Sequence, residues 1–279
     1  MQIFQVPDHA PSLLPDGIPF ELVWADEFDG TELDRTKWDY RFHMMGKRHR
    51  TWGDEGVHLD GRSNCVFTVY EKDGEICSSQ LQTGSNYMDK RNPNWNEEDV
   101  VWPLDRLTPH RFVKRYGYFE CRCRLQQKPG WWSAFWLQSP VIGSSLDPAF
   151  SGIENDCMES FAPGNVSLHS NHYGGYGADH KCEEIGRGAT VDETVYHTFG
   201  VLWTPQGYIY YIDGVEDGRS TGPVSHIPQF ILISTEVKGY RQRGLNAATE
   251  EARAAVGDTF LVDHVRVFDI VGGYEAPAY

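Results

Sequence analysis

The run Gly152-Ile153-Glu154-Asn155-Asp156-Cys157-Met158-Glu159-Ser160-Phe161 decides how the rest of the chain is read. On a strand, side chains alternate between faces, so Glu154 and Asp156 share one face while Asn155 and Cys157 share the other. Glu159 falls on the wrong face of a regular strand. One extra residue, a β-bulge near Cys157-Met158, returns it to the face of the other two. Three carboxylates in line repel one another and cost desolvation energy, which suits a site that needs coupled proton affinities better than it suits a scaffold. The bland alternative is a solvated acidic edge strand, and the apolar neighbours Ile153, Met158 and Phe161 count against it.

The same β character extends to both sides of this run. Strand-like segments fall at Cys65–Tyr70, Gly117–Leu125, Trp131–Gln138, Val166–Tyr173, Thr198–Thr204, Tyr208–Asp213, Phe230–Glu236 and Phe260–Phe268. Asp60-Gly61, Asp73-Gly74, Pro129-Gly130 and Asp213-Gly214 supply the turn chemistry of antiparallel sheets. Helical periodicity is confined to Asn246–Val256, an Ala/Glu-rich stretch suited to a short surface helix. Many short strands with few helices predict an all-β chain, a sandwich or jelly roll of two antiparallel sheets. No repeat or linker divides it. The expected organisation is an N-terminal extension over 1–19 and a single catalytic domain over 20–279, with an insertion-like stretch from Asn86 to Pro109.

Composition narrows the partners. Of 279 residues, 40% are hydrophobic and 13% aromatic, enough for a large core. Forty acidic against 25 basic residues give a net charge of −15, a field that repels phosphate backbones and makes nucleic acid a poor partner. No apolar run approaches the ~20 residues that cross a bilayer, so no membrane partner is expected. The first twenty residues lack a basic start and an apolar segment. The localisation is therefore left open between the cytoplasm and export with a leader removed, and the chain is expected to work as a monomer. Cys65, Cys77, Cys121, Cys123, Cys157 and Cys182 have no framework spacing and read as buried free thiols.

Paired carboxylates on one face fit retaining glycoside hydrolysis. One carboxylate attacks the sugar and another, ~5–5.5 Å away, protonates the leaving oxygen. The Glu-x-Asp-x-x-Glu spacing of Glu154, Asp156 and Glu159 resembles the signature strand of glycoside hydrolase family 16, in the bulged form of laminarinases and related galactanases. Further blocks carry the resemblance in order. They are Trp24-Ala25-Asp26-Glu27-Phe28-Asp29-Gly30, Tyr116-Gly117-Tyr118-Phe119-Glu120-Cys121-Arg122 and Trp132-Ser133-Ala134-Phe135-Trp136-Leu137, then His197 to Pro205, Tyr211-Ile212-Asp213-Gly214 and Val262–Val267. Together they span about Phe20 to Asp269. Asn155 stands where the family usually has an apolar residue, Ile153 where Gly is common, and Ser133 where Pro is frequent. Asn155 faces away from the three carboxylates and so calls for a buried polar partner.

The resemblance implies a concanavalin-like jelly roll with an open polysaccharide cleft. It implies Glu154 as nucleophile, Asp156 as assisting carboxylate and Glu159 as acid/base. Trp132 and Trp136 match its cleft aromatics and, four apart, share a face; Trp131 then points to the core. Trp52, Trp95 and Trp102 lie in loop-like polar segments that suit binding as well as structure. His169 and His172 point to opposite faces of a strand, which argues against joint metal chelation. The resemblance brings a His toward the cleft, and His172 is the candidate, with a satisfied core histidine as the alternative. No cofactor is expected for catalysis. The resemblance allows a structural calcium near Asp263, with the Glu27 region contributing. Asn165-Val166-Ser167 fits the glycosylation sequon.

The expected substrate is a polysaccharide with internal β-linkages, most simply a neutral β-1,3- or mixed-linkage glucan. The rival is an agar-, porphyran- or carrageenan-type galactan. Three basic clusters, Lys47-Arg48-His49-Arg50, Arg111 with Lys114 and Arg115, and Arg241 with Arg243, suit sulfate or salt-bridge the surplus carboxylates. A transglycosylase and a non-catalytic carbohydrate-binding protein are the other readings of the same fold.

Overall fold

Val, Ile, Phe, Tyr and Trp side chains alternate along these strands, and each strand gives one set of them to a shared interior. A computed structural model describes residues 1–41, 49–86, 109–164, 166–240 and 246–274. Among them, two antiparallel sheets hold most of the strand residues. One has seven strands in the order Lys181–Thr190, Val166–Tyr173, Glu154–Ser160, Trp131–Gln138, Phe230–Val237, Gln80–Gln82, Asp39–Tyr40. The other runs Val215–Ser220, Gly207–Ile212, His197–Thr204, Gly117–Arg124, Thr259–Ile270, Cys65–Thr68, Val57–Leu59, with Phe20–Asp26 also paired to Thr259–Ile270. Inner side chains of both sheets, among them Trp131, Phe135, Ile231 and Ile233 from the first and Phe119, Phe199, Val265 and Val267 from the second, form one buried cluster. This is the layered antiparallel sandwich that the pattern predicts.

Local chemistry sets the element ends. Asp73-Gly74 and Asp213-Gly214 both have positive φ at each residue, the two-residue turn that matches strand twist. The expected Cys65–Tyr70 strand is divided: Cys65–Thr68 stays in the large sheet, while Tyr70–Lys72 begins a hairpin with Glu75–Cys77. The predicted helix shortens to Glu250–Ala254, because the Thr249 side chain accepts from the Ala252 N–H and caps it there. Several strands lie outside the expected segments, and the two that follow the carboxylate strand are Lys181–Thr190 and Val215–Ser220. Both are outermost in their sheets.

Residues 1–19 are not a loose tail. Gln2–Phe4 and Ser12–Leu14 pair as a hairpin. Its Phe4 and Leu14, with Ile18, pack on Tyr118, Leu202, Tyr211 and Phe268. Those residues belong to the outer face of the eight-stranded sheet. The insertion-like stretch from Asn86 to Pro109 lies almost wholly outside the described residues. All six cysteines are free; five are buried, and Cys182 is exposed because its strand lies at a sheet edge.

Candidate active site

Strand register builds the site. Pairing sets Glu154 between Gln138 and His172, Asp156 between Trp136 and Ser170, and Glu159 opposite Ala134. Directly paired residues project to the same side of an antiparallel sheet, so the three carboxylates stand in one column on the outer face. The column stays straight because the register slips between Asp156 and Glu159, the extra residue that the spacing requires. Cys157 and Met158 both enter the core at this bulge. Before the strand, Gly152 has φ 72° and a Cβ there would lie 2.3 Å from that of Ser139, so only glycine can deliver the chain into it.

Asn155 faces the interior, and its amide donates to Asn171 Oδ1 at 2.6 Å, with the Tyr210 hydroxyl beside both. The departure from an apolar residue therefore comes with its own buried polar partners.

The carboxylates are held unequally. Glu154 Oε2 accepts from the Tyr176 hydroxyl and, at 3.0 Å, from Gln138 Nε2. Gln138 is oriented in turn by Asn86, whose amide donates to its Oε1 at 2.6 Å. Asp156 Oδ2 accepts from Ser170 Oγ at 2.7 Å and lies 3.2 Å from His172 Nε2. His172 stacks on His180, Nδ1 to Nε2 at 2.8 Å, with Cys182 Sγ 3.7 Å from its other nitrogen. The hydrogen bond to Asp156 raises the His172 pKa against its burial. Burial, then Asp156, Glu154 and Glu236, pushes Glu159 up to about 9. Burial and then Asp156 raise Glu154 to about 7, opposed by Tyr176, His172 and Arg41. One glutamate thus keeps its proton where the other gives it up.

The four substrate-binding candidates take different positions. Trp132 is half-buried beside Phe161, ring centroids 6.0 Å apart, and shares its face with Trp136. His172 turns to the carboxylates while His169 is buried against Tyr210. Trp52 and Trp136 are only 6% and 7% exposed. Their rings close on the Arg41 guanidinium from 4.8 and 5.1 Å, so Trp52 is a buried partner of Arg41 rather than an exposed loop tryptophan. Trp131 is fully buried, its indole donating to Asp258. Trp95 and Trp102 lie outside the described residues, as does Asn165 of the sequon.

Arg41, Gln138, Tyr176 and Glu236 are site residues that the sequence reading missed. Gln138 was legible from its alternation with Trp136. Arg41 and Tyr176 come from loops, where no periodicity marks them.

The residues suggested for calcium are otherwise engaged. Asp263 Oδ2 lies 3.0 Å from Arg122 and 3.1 Å from His264, while Glu27 grips Arg266 through both oxygens at 2.8 and 2.7 Å. Two carboxylates each neutralised by a different arginine do not fit a calcium cage, which needs six or more free oxygens.

The outer face of an open antiparallel sandwich thus carries three adjoining carboxylates in one column. Sequence comparison finds relatives. The Glycosyl hydrolases family 16 profile matches residues 106–231. Glucan endo-1,3-beta-glucosidase A1 of Niallia circulans is 29% identical over 273 residues, covering 88% of this chain and 37% of that protein. The Rhodothermus marinus beta-glucanase is 28% identical over 267 residues, covering 89% of this chain and 85% of its own length. The solved endo-beta-1,3-glucanase of Pyrococcus furiosus superposes with a TM-score of 0.65 at 19% identity, over 95% of this chain and 99% of that one. Residues 106–231 thus resemble glycosyl hydrolase family 16, and the solved structures share the fold.

Proposed function

We propose that the chain is an endo-acting, retaining glycoside hydrolase of β-1,3- or mixed-linkage β-glucan. The observation that carries this reading is the column of Glu154, Asp156 and Glu159 on one outer sheet face, with burial and Asp156 raising Glu154 to about 7 and Glu159 to about 9. Between those values Glu154 is ionised and attacks the anomeric carbon, while Glu159 gives its proton to the departing glycosidic oxygen. The covalent glycosyl-enzyme is then opened by water, whose proton returns to Glu159. Asp156, bonded to Ser170 and His172, stands between the two and opposes ionisation of both. The outer sheet face on which they stand suits internal cleavage of a long chain.

A neutral substrate is favoured by what the basic clusters do. Arg50 pairs with Glu75, Arg111 with Asp39 and Lys114 with Asp269, so these cations already compensate carboxylates. Lys47, Arg48, Arg241 and Arg243 lie outside the described residues. The test is a polysaccharide panel scored for new reducing ends: laminarin, mixed-linkage glucan, agarose, porphyran and carrageenans. Activity on the first two, with retained anomeric configuration by NMR, is expected. Activity confined to the galactans would overturn the substrate, and an inverted product would overturn the mechanism.

A further inference from the structure

We propose that Tyr176 is a positioning residue for the nucleophile, and that the same side chain forms part of the floor on which the reacting sugar rests. This rests on the assignment of Glu154 above and deepens it. The two ends of Tyr176 do different things. Its hydroxyl donates to Glu154 Oε2, the oxygen that also accepts from Gln138 Nε2, while Gln138 Nε2 also reaches the Tyr176 hydroxyl. The amide orientation of Gln138 is fixed because its Oε1 accepts from Asn86. Both donors therefore converge on Oε2, and among the described residues no hydrogen bond engages Oε1, the oxygen left to attack. Tyr176 as a residue is nonetheless 47% exposed, so it remains accessible to a ligand immediately beside the nucleophile. A flat rigid ring in that position meets the C–H face of the sugar being attacked.

The loop is built to hold Tyr176 there. It lies in Gly174-Gly175-Tyr176-Gly177, between the Val166–Tyr173 and Lys181–Thr190 strands. Gly174 has φ 76°, and a Cβ on it would come within 2.4 Å of the Asp179 carbonyl oxygen. The His172–His180 stack lies under the same turn, with the His180 ring 6.1 Å from that of Tyr176. The charged and titratable groups that act on Glu154 are Asp156 on its own strand, Glu159 beyond the bulge, His172 on the neighbouring strand, Arg41 and Tyr176 itself. Burial and Asp156 hold the Glu154 proton on, and the Tyr176 hydrogen bond is the first of the influences that take it off.

Tyr176→Phe keeps the ring and removes the donor; Tyr176→Ala removes both. On a glucan that the wild type cleaves, Tyr176→Phe should lower kcat/KM about tenfold with KM nearly unchanged, and move the acidic limb of the pH profile up by ~1 unit, because an ionised nucleophile has lost a donor. Tyr176→Ala should show the same limb shift and in addition a several-fold higher KM. An unmoved acidic limb in Tyr176→Phe overturns the positioning role, and equal KM values in the two variants overturn the floor. Failure of the wild type to cleave any glycan, or full activity in Glu154→Gln, would instead strike the underlying assignment.

Discussion

The two outer faces of the sandwich both carry charged side chains, and they treat them in opposite ways. On the eight-stranded sheet, Glu120, His264 and Arg266 are fully buried under the N-terminal segment, and charges of opposite sign adjoin. Arg266 takes Glu27 through both oxygens and also donates to the Ala10 carbonyl and Ser12 Oγ. His264 lies 3.3 Å from Glu120; burial opposes its protonation, but hydrogen bonds to Asp263 and Glu120 outweigh that and raise its pKa. On the seven-stranded sheet, Glu154, Asp156 and Glu159 adjoin one another, and two of them are driven toward the neutral form. Complementary buried charge is scaffold; like charge left unneutralised is chemistry.

The severest test of that contrast changes one residue on each face. Glu154→Gln should cost more than ~10³-fold in activity on polysaccharide, since it removes the proposed nucleophile, and should leave the unfolding free energy within ~1 kcal/mol. Arg266→Met should do the reverse. It takes from Glu27 its bidentate arginine and leaves Glu120 to His264 alone, so a loss of ~3–5 kcal/mol is expected in denaturant titration, with kcat of the folded fraction unchanged. A Glu154→Gln variant as active as wild type, or an Arg266→Met variant as stable, would erase the distinction.

Glu159→Gln probes both properties at once. Removing the proposed general acid should cost ~10²–10⁴-fold on polysaccharide, with partial recovery on an aryl glycoside whose leaving group needs no proton. Stability should move the other way. The folded pKa of about 9 lies above the unfolded value near 4.5, so the contribution of Glu159 is complete below 4.5 and is lost as pH rises toward 9. Glutamine has no proton to lose. The variant should match wild type near pH 4 and exceed it progressively up to pH 9 in denaturant midpoints; a constant offset across that range would contradict the raised pKa.

The same two glutamates fix a smaller effect on rate. The wild-type kcat/KM should rise as Glu154 ionises near 7 and fall as Glu159 ionises near 9, a bell read from a pH series on laminarin. An acidic limb below pH 5 would place the nucleophile in a polar, solvated setting and remove the contrast with the paired face.

How much of this was readable in advance follows the source of each signal. The Trp131–Gln138 and Val166–Tyr173 strands end where the pattern ends them, and in the first the apolar and aromatic residues are decided by burial in the core. The bulge was readable because three carboxylates at spacings of two and three cannot share a face without it. Lys181–Thr190 and Val215–Ser220 were not, since an edge strand is held by one neighbour and can carry charges that hide its period, as Glu183-Glu184 and Glu216-Asp217 do. The positions of Trp52 and Arg41 were illegible for another reason. Their contact joins residues from separate loops across the sheet face, and nothing local in either loop encodes the other.

The smallest expected effect separates the tryptophans of one strand. Trp131 is buried in the core, Trp136 is pressed on Arg41 and its indole donates to Ser234 Oγ at 2.9 Å, and Trp132 retains a half-exposed ring beside Phe161. Of the three, Trp132 has the most ring surface left for a sugar, at low entropic cost. An aromatic contact of this kind is worth ~0.5–1.5 kcal/mol beyond its buried area. Trp132→Ala should therefore raise KM for laminarin by ~2–10-fold with kcat little changed, because the contact is made equally in the ground and transition states. Trp132→Phe should recover most of it. If Trp132→Ala instead lowers kcat at constant KM, the ring is acting on the reacting sugar, and the binding face must be redrawn around Glu159, whose partner Ala134 lies two residues along the same strand.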